Sequence, residues 1–398
     1  MESRPNKKNN NVFFIGLLSF FGGISQDIFL PILPIYLTSV LGLSKEFIGL
    51  TEGLVTSSAS IFRIIAGFLT DKMERKKYIA FLGYLLSMIG RLLLAFTATS
   101  LGVLGLRFLD GIGKGTKDSP KDALIAESTT FKNRGMNFGI ARALDTFGSV
   151  VGPIMLFGLL LLFQSNSNKY QYIFLITAIP LIVTLLIIVF KVKDPKLASK
   201  EGREEKLSFK LPKNFYIFLG IMVIFGIGNS SDTFLILRAQ NIGAAILSIP
   251  LIYALFNFVY ASASIPLGSL SDKIGRERVI IIGWIAYALS YLGFGLANQT
   301  YQVWLLFAFY GIYYATTEGV AKALVADIVE VNHRGRAYGL YNAIIGLVTL
   351  PAGLIAGYLW DKVNASAPFI FGAILATLAT ICLAIFIKFK KKFSYAIN

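Results

Sequence analysis

Long apolar runs constrain this chain more than any other feature. Several of them exceed the roughly 18 apolar residues that mark a membrane-spanning helix. The 398 residues are 55% hydrophobic and only 15% charged, whereas an average soluble domain carries about 25% charged residues. The first run extends from Val12 to about Leu41, which is too long for the apolar part of a cleavable signal peptide. We therefore predict an all-α membrane protein that crosses the bilayer many times.

Twelve segments are long enough to cross a bilayer as helices. A polar linker, "KVKDPKLASKEGREEKLSFKLPK", separates the sixth from the seventh. We predict an N-terminal six-helix half over residues 1–191, a cytoplasmic linker over 192–213 and a C-terminal six-helix half over 214–398. The predicted spans are 12–41, 45–69, 79–98, 101–125, 137–163, 171–191, 214–240, 244–270, 279–297, 301–326, 336–360 and 367–389.

Lysine and arginine are distributed unevenly among the predicted loops. With both termini in the cytoplasm, 26 of the 38 basic residues lie on the cytoplasmic side and three on the outer side. This asymmetry follows the positive-inside rule, and it places most of the net charge of +16 beside anionic lipid. The basic charge therefore indicates a bilayer as partner, and we expect no nucleic-acid partner. The other nine basic residues fall inside predicted spans: Arg63, Arg91, Arg107, Lys114, Lys117, Lys121, Arg142, Arg238 and Lys322.

Cysteine and histidine are nearly absent. The chain has one cysteine, Cys382, and one histidine, His333, which excludes an internal disulfide and disfavours His-rich or soft-metal sites. No catalytic triad or cofactor motif is evident in either half. We predict that the chain is not an enzyme and that it holds no cofactor or resident metal.

The two halves repeat each other in sequence. "GFLTDKMERKKYI" at 67–79 matches "GSLSDKIGRERVI" at 268–280, and "SQDIFL" at 25–30 matches "SSDTFL" at 230–235. "DGIGKGTKDSPKDALIAE" at 110–127 aligns with "YGIYYATTEGVAKALVAD" at 310–327. Repeated helical halves are typical of secondary transporters, whose substrates bind near the middle of the membrane.

These motifs resemble the major facilitator superfamily over almost the whole chain. The loop motif at 67–77 matches the superfamily's G-x-L-x-D-x-x-x-R-[KR], with its second copy at 268–278, and Arg107, Gly111 and Gly113 match its fourth-helix motif. "GSVVGP" at 148–153 is similar to its antiporter motif, without the usual closing Gly-Gly. The resemblance implies the superfamily fold of two pseudo-symmetric halves, and a role for Arg107 in proton coupling. It also implies a gating role for four loop residues: Asp71, Arg75, Asp272 and Arg276.

The stretch "RFLDGIGKGTKDSPKDALIAE" at 107–127 concentrates charge between apolar runs. A phosphate-binding loop is disfavoured, because the glycine spacing and the preceding strand of such a loop are missing. A solvated surface helix is an alternative, but it leaves the fourth span too short to cross. On a helical wheel the charged residues from Arg107 to Asp122 fall within an arc of about 140°. We favour a charged helix face that lines a water-filled path, since ionisable groups in a bilayer are costly.

Several other ionisable residues lie inside spans. Asp27 and Asp232 occupy corresponding positions in the two halves, where each is either a proton or substrate site or part of a structural contact between helices. Glu318 and Lys322 are four residues apart in the tenth span. The predicted substrate-binding residues are Lys114, Lys117, Lys121, Arg63, Arg91, Arg142, Arg238 and Lys322. The predicted proton-coupling residues are Asp27, Asp118, Asp145, Asp232, Glu318 and Arg107.

The sequence therefore favours a monomeric secondary transporter in the cytoplasmic membrane of a bacterium, working by alternating access. Three lysines on one face of the fourth span favour a small organic anion as substrate, such as a polycarboxylate or a carboxylate siderophore. Proton coupling is expected. The alternatives are a proton-coupled exporter of lipophilic cations, a metal-ion exporter that uses Asp27 and Asp232, and a membrane receptor or assembly protein that has lost transport.

Overall fold

The computed structural model describes residues 10–72, 75–129, 133–194, 211–330 and 333–395. Within these ranges the chain forms α-helices and no strand, which confirms the predicted all-α class. The helices are α1 (Asn10–Ile35), α2 (Lys45–Lys72), α3 (Lys76–Leu94), α4 (Ser100–Glu127), α5 (Arg134–Leu162), α6 (Lys169–Phe190), α7 (Lys213–Gly228), α8 (Asp232–Asn241), α9 (Ile249–Ile274), α10 (Arg276–Leu296), α11 (Thr300–Ile328), α12 (Arg334–Lys362) and α13 (Ala367–Tyr395).

Eleven of the predicted spans are single helices, and the first continues into a π-helical turn at Tyr36–Val40. The seventh predicted span is broken between α7 and α8, where the sequence Asn229-Ser230-Ser231 interrupts the helix. The Ser231 side chain accepts a hydrogen bond from the Thr233 amide, and such a cap starts a new helix. Broken helices inside a membrane protein expose backbone groups that can bind ligands or ions.

Ten helical segments in the described part are long and apolar enough to span a membrane. The two long helices outside this set are α4 and α11, which are also the pair aligned by the internal repeat. In α4 the ionisable residues lower the hydropathy, and in α11 a group of tyrosines does so together with Glu318 and Lys322. In each half, the long helix outside this set is therefore one that carries several ionisable or hydroxyl groups.

The residues form two compact units. The N-terminal unit contains the described residues within Met1–Ile32 and Ser58–Leu207, and the C-terminal unit those within Leu33–Ser57 and Ser208–Asn398. The end of the first span and the first half of α2 thus group with the C-terminal unit. All three tryptophans and the single cysteine lie in the C-terminal unit: Trp284, Trp304, Trp360 and Cys382.

Glycines allow α4 to pack closely against α3. A Cβ atom added at Gly113 would lie 2.5 Å from the backbone nitrogen of Ser87, and one added at Gly83 would lie 2.6 Å from that of Lys117. Small residues at helix contacts let backbones approach in membrane proteins. This contact fixes the rotation of α4, and so it decides which α4 side chains face α3.

Candidate functional site

The charged face of α4 is built around one buried carboxylate in the N-terminal unit. Asp110 is 1% exposed. Its Oδ1 atom lies 3.3 Å from Nε of Arg91, and its Oδ2 atom lies 3.0 Å from Nη1 of Arg107 and 3.6 Å from Nζ of Lys114. The two arginines are 1% and 3% exposed. One carboxylate thus faces three cations, and the cluster keeps a positive excess.

Arg91 also joins α3 to α1. Its Nη1 donates to the Ser25 hydroxyl at 2.9 Å, and its Nη2 donates to the Gln26 side-chain oxygen at 2.5 Å. The guanidinium groups of Arg91 and Arg107 lie 5.4 Å and 5.5 Å from the centre of the Phe29 ring. All three nitrogen atoms of the Arg91 guanidinium therefore contact protein groups. This geometry suits a residue that holds helices together and supplies positive potential.

The C-terminal part of the α4 face carries cations with fewer acidic partners. Asp118 is bound by Arg63 of α2 in a salt bridge, and the ammonium of Lys117 lies 4.7 Å from the centre of the Tyr84 ring. Lys121 has Tyr84, Asp118 and Asp145 as electrostatic neighbours. Within the described residues, neither Lys117 nor Lys121 has a carboxylate within salt-bridge distance, and both side chains are partly exposed.

The acids predicted to carry protons differ in their surroundings. Asp145 is paired with Arg142 on α5 at 3.4 Å, with side chains 34% and 55% exposed. Asp27 of α1 is 7% exposed and is hydrogen-bonded to Ser149 of α5. The described residues place no cation in a salt bridge with Asp27. Among the predicted carriers in the described part of the N-terminal unit, Asp118 and Asp145 have a cation in salt-bridge distance and Asp27 does not.

Asp232 occupies the corresponding position in the C-terminal unit. It is the first residue of α8, directly after the break. Its Oδ1 atom accepts hydrogen bonds from the hydroxyls of Tyr310 and Tyr314 at 2.8 Å and 3.2 Å, and Glu52 is an electrostatic neighbour. Asp232, too, makes no salt bridge to a cation in the part of the chain that the structure describes.

A cavity of about 230 Å³ lies beside α11 in the C-terminal unit. Rings and polar groups alternate along its wall, among them Phe225, Asn229, Tyr313, Tyr314, Thr317, Glu318 and Lys322. Glu318 is hydrogen-bonded to Tyr260 and lies 3.8 Å from Lys322. The Glu318–Lys322 pair, predicted from its spacing, thus lies at a concave polar and aromatic site.

Arg238 lies apart from this cavity's wall and is 8% exposed. It donates to the backbone carbonyls of Phe294, Gly295 and Ala297, at 2.9 Å, 3.2 Å and 3.0 Å. These carbonyls end α10, and helix ends need such partners. Arg238 therefore contributes to the packing of α8 against the end of α10, and we leave it out of the site.

The predicted gating residues are described in part. The side chain of Asp71 lies outside the described part, and the guanidinium of Arg75 lies 5.9 Å from the Tyr78 ring centre. Arg276 makes a salt bridge with Asp272 at 3.4 Å and another with Asp327 at the end of α11. Their gating role stays a prediction.

Some site residues were not predicted. Tyr84 and Tyr260 lie inside apolar runs, where nothing in the sequence distinguishes them from packing residues. The salt bridge between Lys76 and Glu127 has a counterpart in that between Arg276 and Asp327, and of these residues only Glu127 and Asp327 are aligned by the repeat.

Comparison with known proteins places this arrangement in one family. The model of the Major Facilitator Superfamily matches residues 15–239 and 217–395. The chain is 38% identical over 382 residues to an uncharacterised MFS-type transporter of Methanocaldococcus jannaschii, covering 94% of each protein. It is 27% identical over 369 residues to a multidrug resistance efflux pump homologue of Lactococcus lactis, covering 88% of this chain and 89% of that protein. The crystal structure of a nucleoside transporter (D323A mutant) superposes with a TM-score of 0.79 at 15% identity, covering 95% of this chain and all of that one.

Proposed function

This chain belongs to the major facilitator superfamily and is a multi-pass membrane transporter, and we propose that it moves a small organic anion with several carboxylates. Transport is secondary active, works by alternating access and is coupled to protons. The protein acts as a monomer in the cytoplasmic membrane of a bacterial cell.

The excess of cations on and around α4 carries this proposal. The spans of the N-terminal unit hold seven cations (Arg63, Arg91, Arg107, Lys114, Lys117, Lys121 and Arg142) and five acids (Asp27, Asp110, Asp118, Asp122 and Asp145). Uncompensated charge inside a membrane protein is costly, so a face with this excess favours an anionic ligand. Lys117 and Lys121 are the best placed, since both residues are partly exposed and, among the described residues, neither has a carboxylate within salt-bridge distance. Carboxylates bind such donors through charge-assisted hydrogen bonds.

Proton coupling rests on Asp27 and Asp232 in this proposal. Asp110, Asp118 and Asp145 each form an ion pair with a cation in salt-bridge distance. Asp27 and Asp232 instead have hydroxyl partners, which can accompany either protonation state of a carboxyl group. Glu318 and Arg107 have secondary roles here, as a partner of Lys322 and as a partner of Asp110.

Export of lipophilic cations is the second candidate. The aromatic cavity beside Glu318 favours it, as do the name of the Lactococcus lactis relative and the "GSVVGP" motif. A cation exporter would depend on this cavity and on acids, and it would not need the lysines of α4. No specific observation favours metal-ion export.

Proteoliposomes with an internal pH dye test the proposal. The purified protein is given a panel of di- and tricarboxylates, phosphorylated metabolites and lipophilic cations, and proton flux is recorded for the wild type and for Lys117→Ala. Lys169→Ala is a matched control, because Lys169 also lies over a tyrosine ring, 5.4 Å from the centre of Tyr170, at the start of α6. We expect carboxylates to drive proton flux and Lys117→Ala alone to reduce it at least tenfold, as the loss of one charged hydrogen bond of about 1.5–3 kcal/mol implies.

The opposite pattern has a definite meaning. If lipophilic cations move protons and Lys117→Ala is as active as Lys169→Ala, the organic-anion proposal is wrong and drug export replaces it.

A further inference from the structure

We propose that the N-terminal unit binds an anionic phospholipid at the end where α3 begins and α6 ends. Four basic residues form this surface, which we name the α3–α6 basic cluster: Arg75, Lys77, Lys191 and Lys193. The ligand is a component of the membrane and not the transported molecule, so the inference goes beyond the proposed function and does not depend on it. All residues that carry it lie in one unit.

Backbone contacts hold the segment after α6 against the starts of α3 and α1. The amide of Lys77 donates to Oδ1 of Asp194 at 2.9 Å. The Asn11 side chain accepts from the amide of Lys193 at 2.9 Å and donates to the carbonyl of Lys193 at 3.0 Å. The preceding residue, Val192, is 2% exposed and packs in a hydrophobic core to which α3 and α6 both contribute. The cluster is therefore fixed to the folded unit.

The cations of the cluster are available to a ligand. Their neighbour Lys76 is 3% exposed and makes a salt bridge with Glu127. The four cations of the cluster are instead exposed or partly exposed, and none of them has a carboxylate within salt-bridge distance among the described residues. Basic side chains at the end of a membrane-spanning helix attract anionic lipid headgroups, so this charge favours a ligand of net negative charge.

An exposed aromatic ring lies beside two of these cations. The guanidinium carbon of Arg75 and the Nζ atom of Lys77 lie 5.9 Å and 5.5 Å from the centre of the Tyr78 ring, which is within the range of a cation–π contact. Tyr78 is 52% exposed, and exposed tyrosines are enriched where the bilayer meets water. The ring therefore holds two positive charges together at the level of the headgroups.

Exposed apolar side chains continue from the cluster along both helices. On α3, Leu82 is 48% exposed and lies one turn after Tyr78. On α6, five exposed apolar residues fall within an arc of about 100° on a helical wheel: Ile179, Ile182, Leu186, Val189 and Phe190. In a membrane-spanning unit such faces contact acyl chains. A phospholipid therefore fits both parts of this surface, with its chains on the apolar faces and its phosphate at the cations.

The second copy of the loop motif is built differently in the C-terminal unit. Arg276, which aligns with Arg75, makes salt bridges with two carboxylates. Val279, which aligns with Tyr78, is 0% exposed. The exposed ring with its two cations is thus particular to the N-terminal unit, and it is not a general consequence of basic loops.

Native mass spectrometry of the full-length protein in detergent tests the inference. The protein is titrated with phosphatidylglycerol, with zwitterionic phosphatidylcholine of the same acyl chains, and with glycerol 3-phosphate, which has the phosphate but no chain. The variants are Lys77→Gln and the double variant Lys191→Gln/Lys193→Gln. The matched control is Arg278→Gln, because Arg278 aligns with Lys77 and is exposed.

We expect the wild type to bind phosphatidylglycerol at least about tenfold more tightly than phosphatidylcholine, since each cation near a bilayer surface contributes a factor of about five. Lys77→Gln should weaken phosphatidylglycerol binding about fivefold, and the double variant about 25-fold. Arg278→Gln should leave it unchanged. The substitutions replace side chains at the surface, so all variants should fold, which circular dichroism verifies.

Three results would overturn the inference. The first is equal affinity for phosphatidylglycerol and phosphatidylcholine. The second is a loss in Arg278→Gln as large as that in Lys77→Gln, because the effect would then report the total charge and not this cluster. The third is binding of glycerol 3-phosphate as tight as that of phosphatidylglycerol, because the site would then take a soluble phosphate and not a lipid.

Discussion

Neutralising Asp110 should destabilise the protein strongly. Asp110→Asn keeps the shape of the side chain and removes the negative charge that lies beside Arg91, Arg107 and Lys114. Arg91 and Arg107 are 1% and 3% exposed, so water cannot replace the carboxylate. Removing one partner of a buried ion pair costs about 3–5 kcal/mol. At about 2–4 °C per kcal/mol for a unit of this size, the midpoint of thermal unfolding should fall by about 6–20 °C.

Far-ultraviolet circular dichroism of the protein in detergent measures this midpoint. Asp145→Asn is the matched control, because the Asp145–Arg142 pair is exposed and such pairs contribute about 0–1 kcal/mol. The double variant Asp110→Asn/Arg107→Gln removes one stranded charge and should recover part of the loss. If the midpoint of thermal unfolding of Asp110→Asn lies within about 2 °C of that of Asp145→Asn, the buried cluster does not hold the helices together.

Two further predictions follow from packing and from proton coupling. Gly113→Ala should lower the free energy of unfolding by about 1–3 kcal/mol, because its Cβ atom would press on Ser87. At Gly105 of the same helix an added Cβ atom meets open space, so Gly105→Ala should raise the free energy of unfolding by about 0.5–1 kcal/mol. Equal unfolding midpoints for the two variants would contradict the close contact between α3 and α4. Asp232→Asn should abolish substrate accumulation driven by a pH gradient and leave substrate exchange intact. The control is Asp361→Asn, since the Asp361 carboxylate accepts a hydrogen bond from the backbone amide of Glu46. If pH-driven accumulation survives in Asp232→Asn, Asp232 has no part in the coupling mechanism.

Membrane constraints made most of the fold predictable. Backbone groups in lipid must form their hydrogen bonds within a helix, so each long apolar run was expected to be helical. The internal repeat identified α4 and α11 as corresponding helices of the two halves. The break after Gly228 was not predicted, because polar residues such as Asn229, Ser230 and Ser231 also occur inside continuous transmembrane helices.

The candidate site was predictable only in its residue types. The wheel placed the charged residues of α4 on one face, but it could not show which of them are already engaged. Asp110 is held by three cations, Asp118 by Arg63, and Arg238 by the end of α10. Apart from the contacts of Asp110 within α4, these contacts join residues at least 19 positions apart in the sequence. Local spacing carries no information on such partners, whereas it did anticipate the pair Glu318–Lys322.

The location of the tryptophans gives the protein an internal reporter for one unit. Because Trp284, Trp304 and Trp360 all lie in the C-terminal unit, tryptophan emission follows the melting of that unit and is blind to the other. A thiol-reactive dye that labels Cys382 of α13 shares this bias, whereas the peptide signal in circular dichroism counts both units. Comparing the emission and dichroism curves of one sample therefore tests whether the two units unfold together, without adding a label or changing a residue.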